Sequence, residues 1–135
     1  MVDFPLESKE FNPFGALIGL NFTKAENGKS ECVIKANETL FNPHKVVHGG
    51  VIYSMADTGM GGALYSLLEK SESCATIEIK ITYIKPVKSG NLVCDTKIIH
   101  KSKRIAILES EIRNNGILVA KANGTYIIFE KFENI

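Results

Sequence analysis

The sequence predicts an α+β fold in which one long central helix is wrapped by an antiparallel sheet of about six strands. Three observations carry this expectation. A three-four apolar repeat runs unbroken through residues 51–68. Two short β-like stretches flank an Asn-Gly dipeptide before it. After it the hydrophobic period drops from 3.6 to 2 and stays there for most of the remaining chain.

With 135 residues the chain is the size of one ordinary domain, read as a single unit over 1–135 with an N-terminal arm over 1–12. Asn12-Pro13-Phe14 suits the start of a helix, with Asn12 as cap and Pro13 at the first helical position. Residues 20–25 and 30–36 read as strands joined by Asn27-Gly28, a pair able to take the positive φ angles of a tight hairpin. In the helix, Ile52, Met55, Ala56, Gly59, Met60, Ala63, Leu64, Leu67 and Leu68 form the apolar stripe. Glycines at 59, 61 and 62 each cost about 1 kcal/mol in helix propensity relative to alanine. Bare backbone there implies close tertiary packing. Ile77, Ile79, Ile81 and Tyr83 then alternate with Thr76, Glu78, Lys80 and Thr82, a strand with one wet face. Lys85-Pro86 stops that strand, and residues 88–91 make a turn. Further strands are expected over 92–101, 105–113 and 118–129, the last two joined by Asn114-Asn115-Gly116. The pattern predicts that these last four strands form a meander.

Composition excludes several classes. Sixteen basic residues against fifteen acidic ones give a net charge of +1, without the basic excess of a nucleic-acid module. No apolar run approaches the roughly 20 residues of a membrane span. Met1-Val2-Asp3-Phe4-Pro5 shows no basic stretch leading into an apolar segment, so the expected location is cytoplasmic, with neither membrane nor nucleic acid as partner. Cys32, Cys74 and Cys94 form no CxxC pair and read as small core residues. His44 and His48 have no third ligand nearby, and the glycines at 59, 61 and 62 lack the preceding strand of a nucleotide loop. No metal and no cofactor are expected.

The chemistry concentrates in residues 42–57. His48-Gly49-Gly50 stands just before the long helix, where backbone N–H groups lack partners and the macrodipole is positive. Two glycines let an oxygen approach those amides. Asp57 lies on the flank of the apolar stripe, a border position suited to a base or nucleophile. Each residue alone has an ordinary structural explanation: a cap, a flexible helix start, a solvated carboxylate. Their coincidence points to a site.

The spacing Asn42-x5-His48-Gly49-Gly50, with Asp57 nine positions after the histidine, resembles the signature of hotdog-fold acyl-CoA thioesterases of the phenylacetate-degradation type. Residues 81–86, Ile-Thr-Tyr-Ile-Lys-Pro, resemble that family's central strand and its exit, and the resemblance extends over about residues 14–130. It implies a hotdog fold and the hydrolysis of acyl-CoA to free acid and coenzyme A. By the same resemblance the Gly49 amide is an oxyanion hole, and Asp57 either attacks the carbonyl or activates water. Asn42 holds the water or thioester, His48 orients the loop, and Thr76 assists the water. The alternation, however, places Thr76 on the wet face with Glu78 and Lys80, so a sharp bend would be needed to aim it inward. The resemblance further implies a homodimer or a homotetramer with sites between subunits: Asn42, His48 and Gly49 from one chain, Asp57 and Thr76 from its neighbour.

A coenzyme A ester needs cations for its phosphates, and Lys103 and Arg104, beside Lys101 between two predicted strands, are the candidates, with Lys85 and Lys88 at the preceding turn. Gly50 and Tyr53 are expected to touch substrate, and Met60 and Leu64 are further candidates for the acyl pocket. The compatible acyl groups are small aromatic, short-chain or medium-chain. A hydratase or dehydratase of the same fold would carry a His-Phe-Pro or Asp-x-x-x-x-His pattern, and neither occurs. A non-catalytic acyl-CoA sensor is the alternative from another class.

Overall fold

The computed structural model describes residues 11–131, so the expected arm lies, up to residue 10, outside the described residues. A short helix α1 (Pro13–Leu17) opens this span, with the Asn12 side chain accepting from the Gly15 N–H at 3.1 Å. Strands β1 (Asn21–Glu26) and β2 (Lys29–Lys35) follow, joined through Asn27 and Gly28 at φ 52° and 76°. The long helix α2 is Gly49–Tyr65, and strands β3 (Glu72–Tyr83), β4 (Asn91–Lys101), β5 (Ile105–Asn114) and β6 (Ile117–Glu130) complete the order. Asn115 and Gly116, at φ 50° and 85°, make the β5–β6 turn.

Helix α2 starts two positions earlier than the apolar repeat indicates because His48 caps it and both glycines fit its first turn. It also ends earlier, at Tyr65. Leu67 N–H and Leu68 N–H bond to the carbonyls of Leu64 and Tyr65, so a tight turn carries the apolar stripe on to Leu68, only 1% exposed. Ser66 donates to the Ala63 carbonyl while its oxygen accepts from Gly28 N–H at 2.9 Å, fastening the β1–β2 turn to the end of the helix.

All six strands form one antiparallel sheet in the order β1-β2-β4-β5-β6-β3. The predicted four-strand meander is therefore corrected: only β4, β5 and β6 follow one another, and β3 lies at the far edge beside β6. The reason is the path after β3. Ile84 and Lys85 both donate to the Val119 carbonyl, Val87 is buried to 1% and its carbonyl accepts from Val47 N–H, and Ala36 N–H bonds to Gly90. These bonds draw the chain past the loop at the start of α2 and deliver it to β2.

The sheet packs on α2 through Leu92, Cys94, Leu108, Ile112, Ala120 and Ala122, all 0% exposed, and their neighbours. Met55, Met60 and Leu64 of the helix are equally sealed, each worth about 1.5–3 kcal/mol relative to exposure. Met60 and Leu64 therefore belong to the core rather than to a pocket wall. Of the glycines at 59, 61 and 62, two do press against the sheet. A Cβ on Gly59 would stand 2.9 Å from Thr96 Oγ1, and one on Gly62 would stand 2.5 Å from the Phe22 ring. Gly61 is the exception, with nothing within 4 Å.

Candidate active site

The site residues fall into two groups at different heights of α2. The first is built on the loop before the helix. Phe41 and Val47 form an isolated bridge, and Asn42 ties the loop between them. Its Oδ1 accepts from His44 N–H at 2.8 Å and Val46 N–H at 3.4 Å, while its own N–H donates to the Val46 carbonyl at 2.8 Å. Such use of an asparagine side chain as a turn former is a local bond that competes well with regular structure. The loop ends at His48, whose Nδ1 accepts from Gly50 N–H at 2.7 Å. That bond satisfies one of the orphan amides of the helix start. It leaves the Gly49 N–H, which has no acceptor among the described residues, as the free donor at the positive end of the macrodipole.

Tyr83 closes this end. Its hydroxyl donates to the Gly49 carbonyl at 2.7 Å, and its pKa is pushed up by burial and by the neighbouring Tyr53. Tyr53 thus sits beside the Gly49 end of the helix. Between α2 and the segment after β3 lies an open, largely apolar hollow of about 340 Å³, lined by Ile52, Tyr83, Pro86 and Val87 with Gly49 at its wall.

The second group surrounds Asp57. Thr76 Oγ1 donates to Asp57 Oδ1 at 2.8 Å, and the Tyr126 hydroxyl reaches Asp57 Oδ1 at 2.5 Å and the Asp57 carbonyl at 2.8 Å. Thr76 can do so because β3 carries a bulge. Thr76 pairs with Tyr126 but Glu78 pairs with Thr125, so Ile77 is the extra residue and the side-chain phase switches there. Beyond the bulge Ile79, Ile81 and Tyr83 face the helix; before it Cys74 and Thr76 do. The expected wet-face position of Thr76 is corrected accordingly, and Ile77 is the side chain that turns outward, 53% exposed.

Electrostatics at Asp57 follow from its neighbours. Burial, reinforced by the Asp57 charge, raises the Cys74 thiol from its ordinary 9.0 to about 11, so it stays protonated at neutral pH. Tyr126 is held far above the usual phenol range, first by burial and then by its bond to Asp57, and remains a donor. Lys103 and Arg104 occupy the exposed β4–β5 tip. The Arg104 carbonyl accepts from Ile128 N–H at 2.7 Å, and Ile128 pairs with Cys74, which puts both cations near the Asp57 end of β3. Glu72 and Glu130 share the shallow groove they line. Among the described residues no His, Cys, Asp and Glu side chains converge in a cluster able to hold a metal ion.

The structure thus gathers Asn42, His48, Gly49, Gly50 and Tyr53 at one end and Asp57 with Thr76 at another. Tyr126, Tyr83 and Cys74 join them without having been expected at the site: the sequence reads Tyr83 as a strand residue and Cys74 as a core residue. A signal for Tyr126 was present: it is the one hydroxyl in the inward series Ala120, Ala122, Gly124, Tyr126 and Ile128.

The sequence profile of the thioesterase superfamily matches residues 44–121, the stretch holding His48, Gly49, Asp57 and Thr76. A candidate esterase of Saccharolobus solfataricus is 33% identical over 115 residues, covering 84% of this chain and 76% of that protein. Among solved structures, a thioesterase from Haemophilus influenzae superposes with a TM-score of 0.91 at 21% identity, covering 98% and 96% of the two chains. A phenylacetic acid degradation protein from Thermus thermophilus does so at 0.80 and 22% identity, covering 86% and 98%. The chain belongs to the thioesterase superfamily, a thioester hydrolase built on the hotdog fold.

Proposed function

We propose that this protein hydrolyses a small aromatic or short- to medium-chain acyl-CoA, with Asp57 as nucleophile or general base and the Gly49 amide as oxyanion hole. The observation that carries the reading is the placement of one free amide and one hydrogen-bonded carboxylate on the same helix, each at a solvent-facing end of its own residue group. Residues 49 and 57 are separated by about 12 Å along the axis at 1.5 Å per residue, too far to serve one carbonyl carbon. A complete site therefore takes Asn42, His48 and Gly49 from one protomer and Asp57 and Thr76 from its partner. The outer edge of β3, which among the described strands pairs only with β6, supports that assembly because an uncovered edge favours a second strand.

In the reaction the Gly49 N–H stabilises the oxyanion as the thioester carbonyl becomes tetrahedral; such a donor is worth about 10²–10³ in turnover. Asp57 attacks the carbonyl carbon or removes the proton of the attacking water. The C–S bond then breaks, and the thiolate of coenzyme A leaves and takes up a proton. With Asp57 as base the free acid forms in that step; with Asp57 as nucleophile a water hydrolyses the mixed anhydride left on the protein, which releases the acid and restores the carboxylate. Lys103 and Arg104 hold the phosphates. Gly50 contributes through His48, whose ring its amide fixes, and Tyr53 flanks the acyl group. The protein works as a homodimer or a dimer of dimers in the cytoplasm.

The test is thiol release from phenylacetyl-CoA, hydroxybenzoyl-CoA and saturated acyl-CoA esters of increasing length, with Asp57→Ala alongside. Release by the wild type and a loss of about two or more orders of magnitude in the variant are expected. Release unaffected by the substitution would remove Asp57 from the chemistry. Tight binding of every ester without release would make the protein an acyl-CoA sensor.

A further inference from the structure

We propose that Tyr126 is the positioning residue that pins Asp57 through Oδ1 and so assigns the chemistry to Oδ2. The inference rests on the reading of Asp57 as the reacting carboxylate and extends it to a single atom. Two hydroxyl donors, Thr76 at 2.8 Å and Tyr126 at 2.5 Å, converge on Oδ1. Oδ2 accepts from no described residue, and the one buried side-chain oxygen or nitrogen without a partner among those residues is Glu130 Oε2, so Oδ2 stays in reach of solvent.

Tyr126 differs from Thr76 in kind. Thr76 is exposed in the single chain, whereas Tyr126 is 2% exposed and is held between the helix and the sheet. Its hydroxyl spans the Asp57 carbonyl at 2.8 Å and Oδ1, so side chain and backbone of one residue are referenced to a single rigid ring. The terminal torsion of an aspartate is broad, so a carboxylate with one exposed donor can swing its plane away from a productive angle. A second donor on a buried ring narrows that swing. Oδ2 is thereby kept on the solvent side, where the thioester or its attacking water must stand. A carboxylate held in this way loses no orientational freedom on reaching the transition state, the advantage of a prepositioned group. Burial and the Asp57 charge keep the phenol protonated, as this role requires.

The alternative is that Tyr126 merely fastens α2 to β6. A thermodynamic cycle separates the two: kcat, KM and Tm for wild type, Tyr126→Phe, Asp57→Ala and the double variant, on whichever ester the panel selects. We expect Tyr126→Phe to lower kcat about 10- to 100-fold with KM within about twofold and only a small fall in Tm. The double variant is expected to be no slower than Asp57→Ala, because Tyr126 acts through that carboxylate. A kcat within twofold of wild type overturns the proposal. So does an equal fractional loss in the Asp57→Ala background, which would mark a structural role. Incorporating 3-fluorotyrosine at position 126 keeps the ring and changes donor strength alone; an unchanged kcat there also overturns it, even if Tyr126→Phe folds poorly. Absence of release by the wild type would sink the proposed hydrolysis itself, and this inference with it. Failure confined to Tyr126→Phe, with Asp57→Ala inactive, leaves the hydrolysis standing.

Discussion

Thr76→Val is the substitution that tests the bulge and the site together. It removes one hydroxyl and keeps the branched shape. The hydroxyl donates at 2.8 Å to a carboxylate, and hydrogen bonds to charged groups contribute about 1.5–3 kcal/mol. At 1.36 kcal/mol per tenfold, that range corresponds to about 10- to 150-fold in rate. The lower end applies here, because Thr76 is exposed and water can take its place. We therefore expect kcat to fall about tenfold, with little change in Tm. Thr76→Ser, which keeps the donor, should stay within about threefold of wild type by the same reasoning. The assay is steady-state thiol release, with thermal unfolding recorded in parallel. A Thr76→Val enzyme within twofold of wild type would mean that the side chain points outward, as unbroken alternation from Ile77 to Tyr83 implies, and that the phase switch at Ile77 plays no part in the chemistry.

The helix glycines give opposite expectations for neighbouring positions. Gly62→Ala drives a Cβ to 2.5 Å from the Phe22 ring and should destabilise by about 1–3 kcal/mol, whereas Gly61→Ala meets nothing within 4 Å and should stabilise by up to about 1 kcal/mol; denaturant midpoints for the two decide it. Cys74, with its thiol at about 11 rather than 9.0, should alkylate at pH 8 about 100-fold more slowly than an unperturbed thiol, and faster as pH rises toward 11. Because the Asp57 charge disfavours the thiolate, Asp57→Asn should lower the thiol pKa and speed alkylation; a slower reaction would contradict that electrostatic account. Lys103→Ala with Arg104→Ala should raise KM for a coenzyme A ester severalfold, about 0.5–1 kcal/mol, without changing it for an N-acetylcysteamine thioester that lacks phosphates; equal effects on both would remove the pair from nucleotide binding.

Much of this architecture was legible in local chemistry. Asn27-Gly28 and Asn115-Gly116 adopt the positive φ angles that their types favour, and Asn12-Pro13 starts a helix as such pairs do. The apolar stripe of α2 is buried as its period requires. What local pattern could not supply was partnership across the sheet. Nothing in residues 72–83 states that their neighbour is β6 rather than β4, because that choice depends on the path of residues 84–90 past the start of the helix. The bulge was hidden for a related reason: alternation from Ile77 to Tyr83 is unbroken in sequence, and only pairing against Tyr126 and Thr125 reveals the extra residue. At the candidate site, the places of His48, Gly49 and Asp57 were legible because they follow from position along one helix. Tyr126 stood out only as the one hydroxyl of an inward series, without its partner, because it reaches Asp57 from the far end of the described chain.

The placement of β3 beside β6 also orders events during synthesis. β3 leaves the ribosome well before β6, yet β6 is its sole partner among the described strands. Until β6 has emerged, β3 hangs with both edges unpaired, Thr76 has no register to turn it toward the helix, and Asp57 has neither hydroxyl donor. Long-range pairing of this kind is slow and leaves strand edges open to aggregation. The nascent chain can assemble the helix with β1, β2, β4 and β5 first, which postpones both the Asp57 hydrogen bonds and an ordered β3 edge until the final strand arrives. A prematurely terminated product would thus lack both the finished carboxylate cradle and an ordered β3 edge.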